Sequence, residues 1–141
     1  MKVRKTQISG ASRAMLVLMI AVVMASALAT PAQAGTDDTA CTYYGCYNYQ
    51  GWGSGYGEWN HSGDVMWVCD AYPDGWSVVV IAWLNGVRAP NKWDTSGAGD
   101  GCTERSYGDL PEGTEVKFQA CLGDYSETII RSCGYTRWAY A

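Results

Sequence analysis

Six cysteines, a single histidine and an unusual density of aromatic rings are the side chains here with chemistry to offer. Cysteine serves zinc or disulfides. Zinc sites draw on short cysteine pairs completed by a second pair or by histidines. Cys41 and Cys46 stand close together, but Cys69, Cys102, Cys121 and Cys133 are widely spaced and His61 has no second histidine. The even count reads instead as three disulfides, as expected of a small domain in an oxidising compartment. Cys121 and Cys133 flank a hairpin, and Cys69 and Cys102 sit in or beside two separate strands, leaving Cys41 and Cys46 as a local clip. The expected pairs are therefore 41–46, 69–102 and 121–133.

Catalysis draws little support. His61 lies between Asn60 and Ser62 with no partner that spacing identifies. Glu58, Asp64, Asp70 and Asp74 would serve glycoside hydrolysis only as a pair across a cleft. Asp94 and Asp100 bracket a polar, glycine-containing stretch without the spacing of a helix-loop-helix calcium site, which reads as an acidic turn. No metal or other cofactor is expected, and the reading is non-enzymatic. Asn60-His61-Ser62 fits the N-glycosylation pattern, which matters only in a host with that machinery.

The aromatics are the stronger signal. Seven Trp, ten Tyr and one Phe all fall after residue 34, more than a small core can hide. They concentrate in Tyr43, Tyr44, Tyr47, Tyr49, Trp52, Tyr56 and Trp59, the last three spaced by glycines. Such rings, apolar on the face and polar at the tip, suit stacking on sugars. The competing reading has the segment folding over an open end of the domain, its rings capping the core. A second candidate is Trp83 with Arg88, which an Asn85-Gly86 two-residue turn places opposite each other on one face with Val79 and Ile81. The tail 135–140 again mixes arginine with rings and reads as a final edge strand or a small contact surface.

The elements that must hold these groups begin after a leader. Lys2, Arg4, Lys5 and Arg13 precede an uncharged apolar run over 14–29, and Ala32-Gln33-Ala34 fits a cleavage site. The run is shorter than the roughly 20 residues of a spanning helix, so residues 1–34 read as a cleaved signal peptide. They hold four of the ten basic and none of the fourteen acidic residues. The remaining 107 residues therefore carry 6 basic against 14 acidic, net −8. That balance disfavours nucleic acid and anionic membranes as partners.

Turn signals recur every eight to twelve residues or so, the rhythm of an all-β domain. Strands are expected over 64–70, 76–84, 87–93, 102–107, 114–122 and 127–133, with a seventh near 42–49. The run 76–84 is apolar on both faces and central, whereas Pro90 confines 87–93 to an edge. A small antiparallel, immunoglobulin-like β-sandwich over 64–141, with residues 35–63 packing on it, is the economical architecture, and a small closed barrel is the alternative.

Three stretches carry a resemblance: Gly63-Asp64-Val65-Met66-Trp67-Val68-Cys69-Asp70, Gly97-Ala98-Gly99-Asp100-Gly101-Cys102, and Leu110-Pro111-Glu112-Gly113-Thr114 with Cys121 and Cys133. Over roughly 63–134 the chain resembles a family of small secreted proteins of high-GC Gram-positive bacteria, mostly of unassigned function. The resemblance implies a secreted, disulfide-bonded β-domain and transfers no catalytic residue. The expectation is thus a secreted binding protein, meeting polysaccharide or cell-wall material through Tyr47, Tyr49, Trp52, Tyr56 and Trp59, or through Trp83 and Arg88. The alternative is an inhibitor or partner of another extracellular protein.

Overall fold

The computed structural model describes residues 34–141, and the leader read at 1–34 lies, but for Ala34, outside them. Among the described residues ten strands form two antiparallel sheets. The first sheet runs β1 (Asp38–Cys41), β2 (Gly55–Asn60), β3 (Val65–Asp70) and β7 (Thr103–Ser106). The second is built on β4 (Ser77–Leu84) and β8 (Glu115–Asp124), paired along the whole of β4. Its two edges are broken strands. Along β4 lie β5 (Val87–Arg88) and then β6 (Lys92–Asp94), interrupted where Pro90 removes a donor. Along β8 lie β9 (Ile129–Arg131) and β10 (Arg137–Tyr140), separated by a corner at 132–136.

Inward-facing residues of both sheets make the core, chiefly Trp59, Met66, Val68, Val78, Val80, Val116, Phe118 and Leu122. Sheet separation is set partly by glycine: a Cβ on Gly55 would collide with Val78, and one on Gly57 with Val80. The outer face of β4 is apolar too. Val79 and Ile81 are buried with Cys121 under Trp83, Trp93, Ile130 and Cys133. This two-sided burial is what the continuous apolar run 76–84 requires.

The sheets are stitched along one side. Thr36 bridges Tyr140, and the Arg137 guanidinium donates to both Asp38 oxygens at 2.7–3.1 Å. On the other side Thr103 Oγ1 donates to the Trp93 carbonyl and Arg105 to that of Pro90. The first sheet is therefore curled, closer to half a barrel than to a flat layer.

Several expectations change. Residues 35–63 are not a cover on a finished domain, because they supply β1 and β2 and place Trp59 in the core. No strand spans 42–49; a turn at 42–45 and a single 3-10 turn (Asn48–Gln50) stand there instead. The immunoglobulin-like connectivity is not what the sheets display. That arrangement sends its third strand to the opposite sheet, whereas β1, β2 and β3 run as a meander within one. The disulfides join Cys41 to Cys46, Cys69 to Cys102 and Cys121 to Cys133.

Candidate functional site

The aromatic segment divides by burial. Trp59 is fully buried and its indole N–H donates to the Tyr140 carbonyl at 3.3 Å, so it is a core residue and faces no ligand. Tyr43, Tyr44, Tyr47, Tyr49 and Trp52 are exposed, and Tyr56 is half-buried. Capping accounts for Trp59 and in part for Tyr44, which lies over Gly53 near Leu122. The others cover no core.

The exposed rings form two groups. Tyr47 stacks on Tyr49 with centroids 5.8 Å apart, and Tyr56 tilts against Tyr47 at 5.7 Å. Burial raises the Tyr56 phenol above its ordinary range, with Glu58 and Tyr47 adding to the shift. Tyr44 makes edge contacts with Tyr43 and with Trp52, at 5.3 and 4.8 Å.

This second group opens onto a groove of about 530 Å³ lined by Thr42, Tyr43, Cys133, Gly134 and Tyr135. Both flanking tyrosines project strongly, Tyr43 at 73% and Tyr135 at 91% exposure. Each bank is held covalently: Tyr43 lies inside the loop closed by Cys41–Cys46, and Tyr135 follows Cys133 of the Cys121–Cys133 bridge. The banks are also tied to each other. Tyr43 N–H donates to the Ser132 carbonyl at 3.1 Å, and Ser132 adopts φ 51°, which turns the corner out of β9. Gly134 then approaches the Cys41 carbonyl so closely that no Cβ would fit. No charged side chain lines the groove. Tyr135 is the residue that reasoning from sequence placed only in the tail; the glycine following a disulfide cysteine was the available signal of a close approach.

The Asn85-Gly86 turn has both residues at positive φ, 47° and 79°, and sets Trp83 opposite Arg88 and Leu84 opposite Val87. The Arg88 guanidinium lies 5.8 Å from the Trp83 ring centre. Trp83 and Arg88 do not line the Tyr43 groove.

Two acidic features are structural. His61 Nδ1 meets Asp37 Oδ1 at 2.7 Å on the surface, and the His61 backbone N–H, followed by its ring, holds the Asp37 carboxyl below its usual range. Asp94 is fully buried, accepting from Ser96 N–H, Ser96 Oγ and Asp70 N–H, which occupies the carboxylate the acidic-loop reading concerned. Among the described residues no group of three or more His, Cys, Asp or Glu is placed to hold a metal ion.

Beside it, Asp70 is pushed up to about 6, chiefly by burial, against the N–H of Tyr72 and with repulsion from Asp74 and Asp94. A carboxyl raised above its unfolded value keeps a proton that the unfolded chain has lost between about pH 4 and 6. Its contribution to stability therefore falls as pH rises through that window and levels off above it. For a shift of this size the change is up to about 3 kcal/mol. Thermal melts from pH 4 to 7 should show Asp70→Asn gaining on the wild type as pH rises, its amide still accepting from Tyr72. Parallel curves would contradict this.

Comparison with known proteins finds no family model, no curated protein and no solved structure that matches the chain.

Proposed function

We propose that this chain is a secreted, non-enzymatic binding domain that takes a neutral polysaccharide, such as a cell-wall glycan, in the groove between Tyr43 and Tyr135. One observation carries the reading: two strongly exposed tyrosines, each anchored by its own disulfide, flank an open groove with no charged lining. Tyrosine presents an apolar face to the C–H side of a sugar and a hydroxyl to its rim. Fixing the banks in advance lowers the ordering cost of binding. Tyr44 and Trp52 extend the surface beyond the groove, and the Tyr47–Tyr49 stack offers a further contact for a long polymer. Export rests on the leader pattern, and the three disulfides fit an oxidising exterior.

The test is retention of the purified protein on insoluble glucan, chitin and peptidoglycan. At least one is expected to hold the wild type. Two rings at roughly 0.5–1.5 kcal/mol each predict that Tyr43→Ala with Tyr135→Ala weakens retention about tenfold or more. Retention on none of the three, or undiminished retention of the double variant, would end this reading.

A further inference from the structure

The outer face of the second sheet carries an ordered row that the groove does not use. Register places Trp138 of β10 opposite Lys117 of β8, Lys117 opposite Trp83 of β4, and Trp83 opposite Arg88 of β5. Residues in register across a sheet project from the same face, so the four form a line of ring, cation, ring, cation. The Lys117 ammonium lies 5.1 Å from the Trp83 ring centre and the Arg88 guanidinium 5.8 Å from it, so Trp83 is flanked by charge on both sides. Neighbouring strands stand about 4.8 Å apart, which puts the two indoles about 10 Å from each other.

The 107 residues after the leader hold only six cations against fourteen carboxylates. Ion pairs among the described residues involve His61 with Asp37 and Arg137 with Asp38. Among the described residues neither Lys117 nor Arg88 has a carboxylate partner, and Arg88 donates only to Asn91 Oδ1, at 3.0 Å. Glu115, two positions before Lys117 on the same face, bounds the row, and its backbone is bonded to Asn85. Among the described residues two cations without a carboxylate partner thus alternate with two tryptophans across one sheet face.

We infer that this row is a binding site for a carboxylate-bearing polysaccharide, distinct from the Tyr43 groove. A periodic surface calls for a periodic ligand. The strand spacing is close to the ring-to-ring spacing of an extended pyranose polymer, so successive sugars lie over successive strands. A sugar stacks on the exposed Trp138 indole, and uronate groups further along the polymer meet Lys117 and Arg88, which stand on either side of Trp83. An acidic protein surface is the less fitting occupant, because interfaces of that kind centre on an anchor buried in a pocket and this row is open. Trp138 stands 54% exposed at its edge.

Affinity electrophoresis of the purified protein through gels containing polygalacturonate tests the site. Retardation is expected at low salt, falling steeply as salt is raised, because the contacts at Lys117 and Arg88 are exposed charges. Lys117→Gln with Arg88→Gln should reduce the apparent affinity at least tenfold, and Trp138→Ala severalfold. Trp83 itself covers Val79 and Ile81 and is left in place to keep the fold. The pair Tyr43→Ala and Tyr135→Ala should leave retardation unchanged, which separates this site from the groove. No retardation by polygalacturonate, or retardation indifferent to the glutamine substitutions, overturns the inference. Equal retardation by polyglutamate also overturns it, in favour of an acidic protein partner.

Discussion

Trp59→Ala is expected to lower the unfolding free energy by about 3–5 kcal/mol, the range for emptying a buried aromatic site. The indole is fully buried between the sheets, tilts against Tyr107 at 5.8 Å and ties β2 to the carbonyl of Tyr140 in β10. Its loss therefore removes packing and one hydrogen bond that joins the two sheets. Domains of this size are stable by only about 5–15 kcal/mol, so the variant should sit near the edge of folding. Urea denaturation followed by fluorescence measures the change. A cost below about 1 kcal/mol would return Trp59 to the surface and make residues 35–63 a cover rather than part of the sandwich.

Removing the Cys69–Cys102 bridge by a double alanine substitution should cost nearly as much. The bridge closes a loop of 33 residues, reaching from β3 through the second sheet's β4, β5 and β6 to the start of β7. Restricting an unfolded chain over that length stabilises the native state by about 4 kcal/mol in the loop-entropy account. The Cys41–Cys46 clip spans only 5 residues and should contribute about 2 kcal/mol by the same reasoning. Denaturation of the two double variants side by side checks the order. A larger loss from opening the short clip would mean that strain or local packing, and not chain restriction, sets what the bridges contribute.

Parts of this molecule were legible from local rules. The Asn85-Gly86 turn fixed its own register, because a two-residue loop with both residues at positive φ leaves one pairing for Trp83 and Arg88. The alternation of Val116, Phe118, Ala120 and Leu122 against polar neighbours marked β8, and all four face the core. Pro90 marked 87–93 as an edge, which it is, although the single strand expected there is broken into β5 and β6 where the proline removes a donor.

The first two strands were not legible, for a physical reason. Asp38–Cys41 is short and polar, and β2 reads as a glycine-rich loop. Gly55, Gly57 and Trp59 nevertheless alternate inward, the glycines being where Val78 and Val80 leave no room for a side chain. Small residues can mark an inward face as firmly as large ones when two sheets press together there. The groove escaped because Tyr43 and Tyr135 are far apart in sequence and meet only through the corner at Ser132 and Gly134. The same limit applied to the sheet face. Half of the row was readable from one hairpin, whereas Lys117 and Trp138 join it only through the long-range pairing of β4, β8 and β10.

The proposed groove between Tyr43 and Tyr135 can be read directly in solution. Titrating the isotopically labelled protein with a soluble oligosaccharide of whichever neutral polymer retains it, and following amide and aromatic resonances by NMR, reads the contact residue by residue. Saturable shifts centred on Tyr43, Gly134 and Tyr135, spreading to Tyr44 and Trp52, are the predicted result. Shifts confined to Trp83, Lys117 and Arg88, or none at ligand concentrations that displace the protein from the polymer, would contradict it.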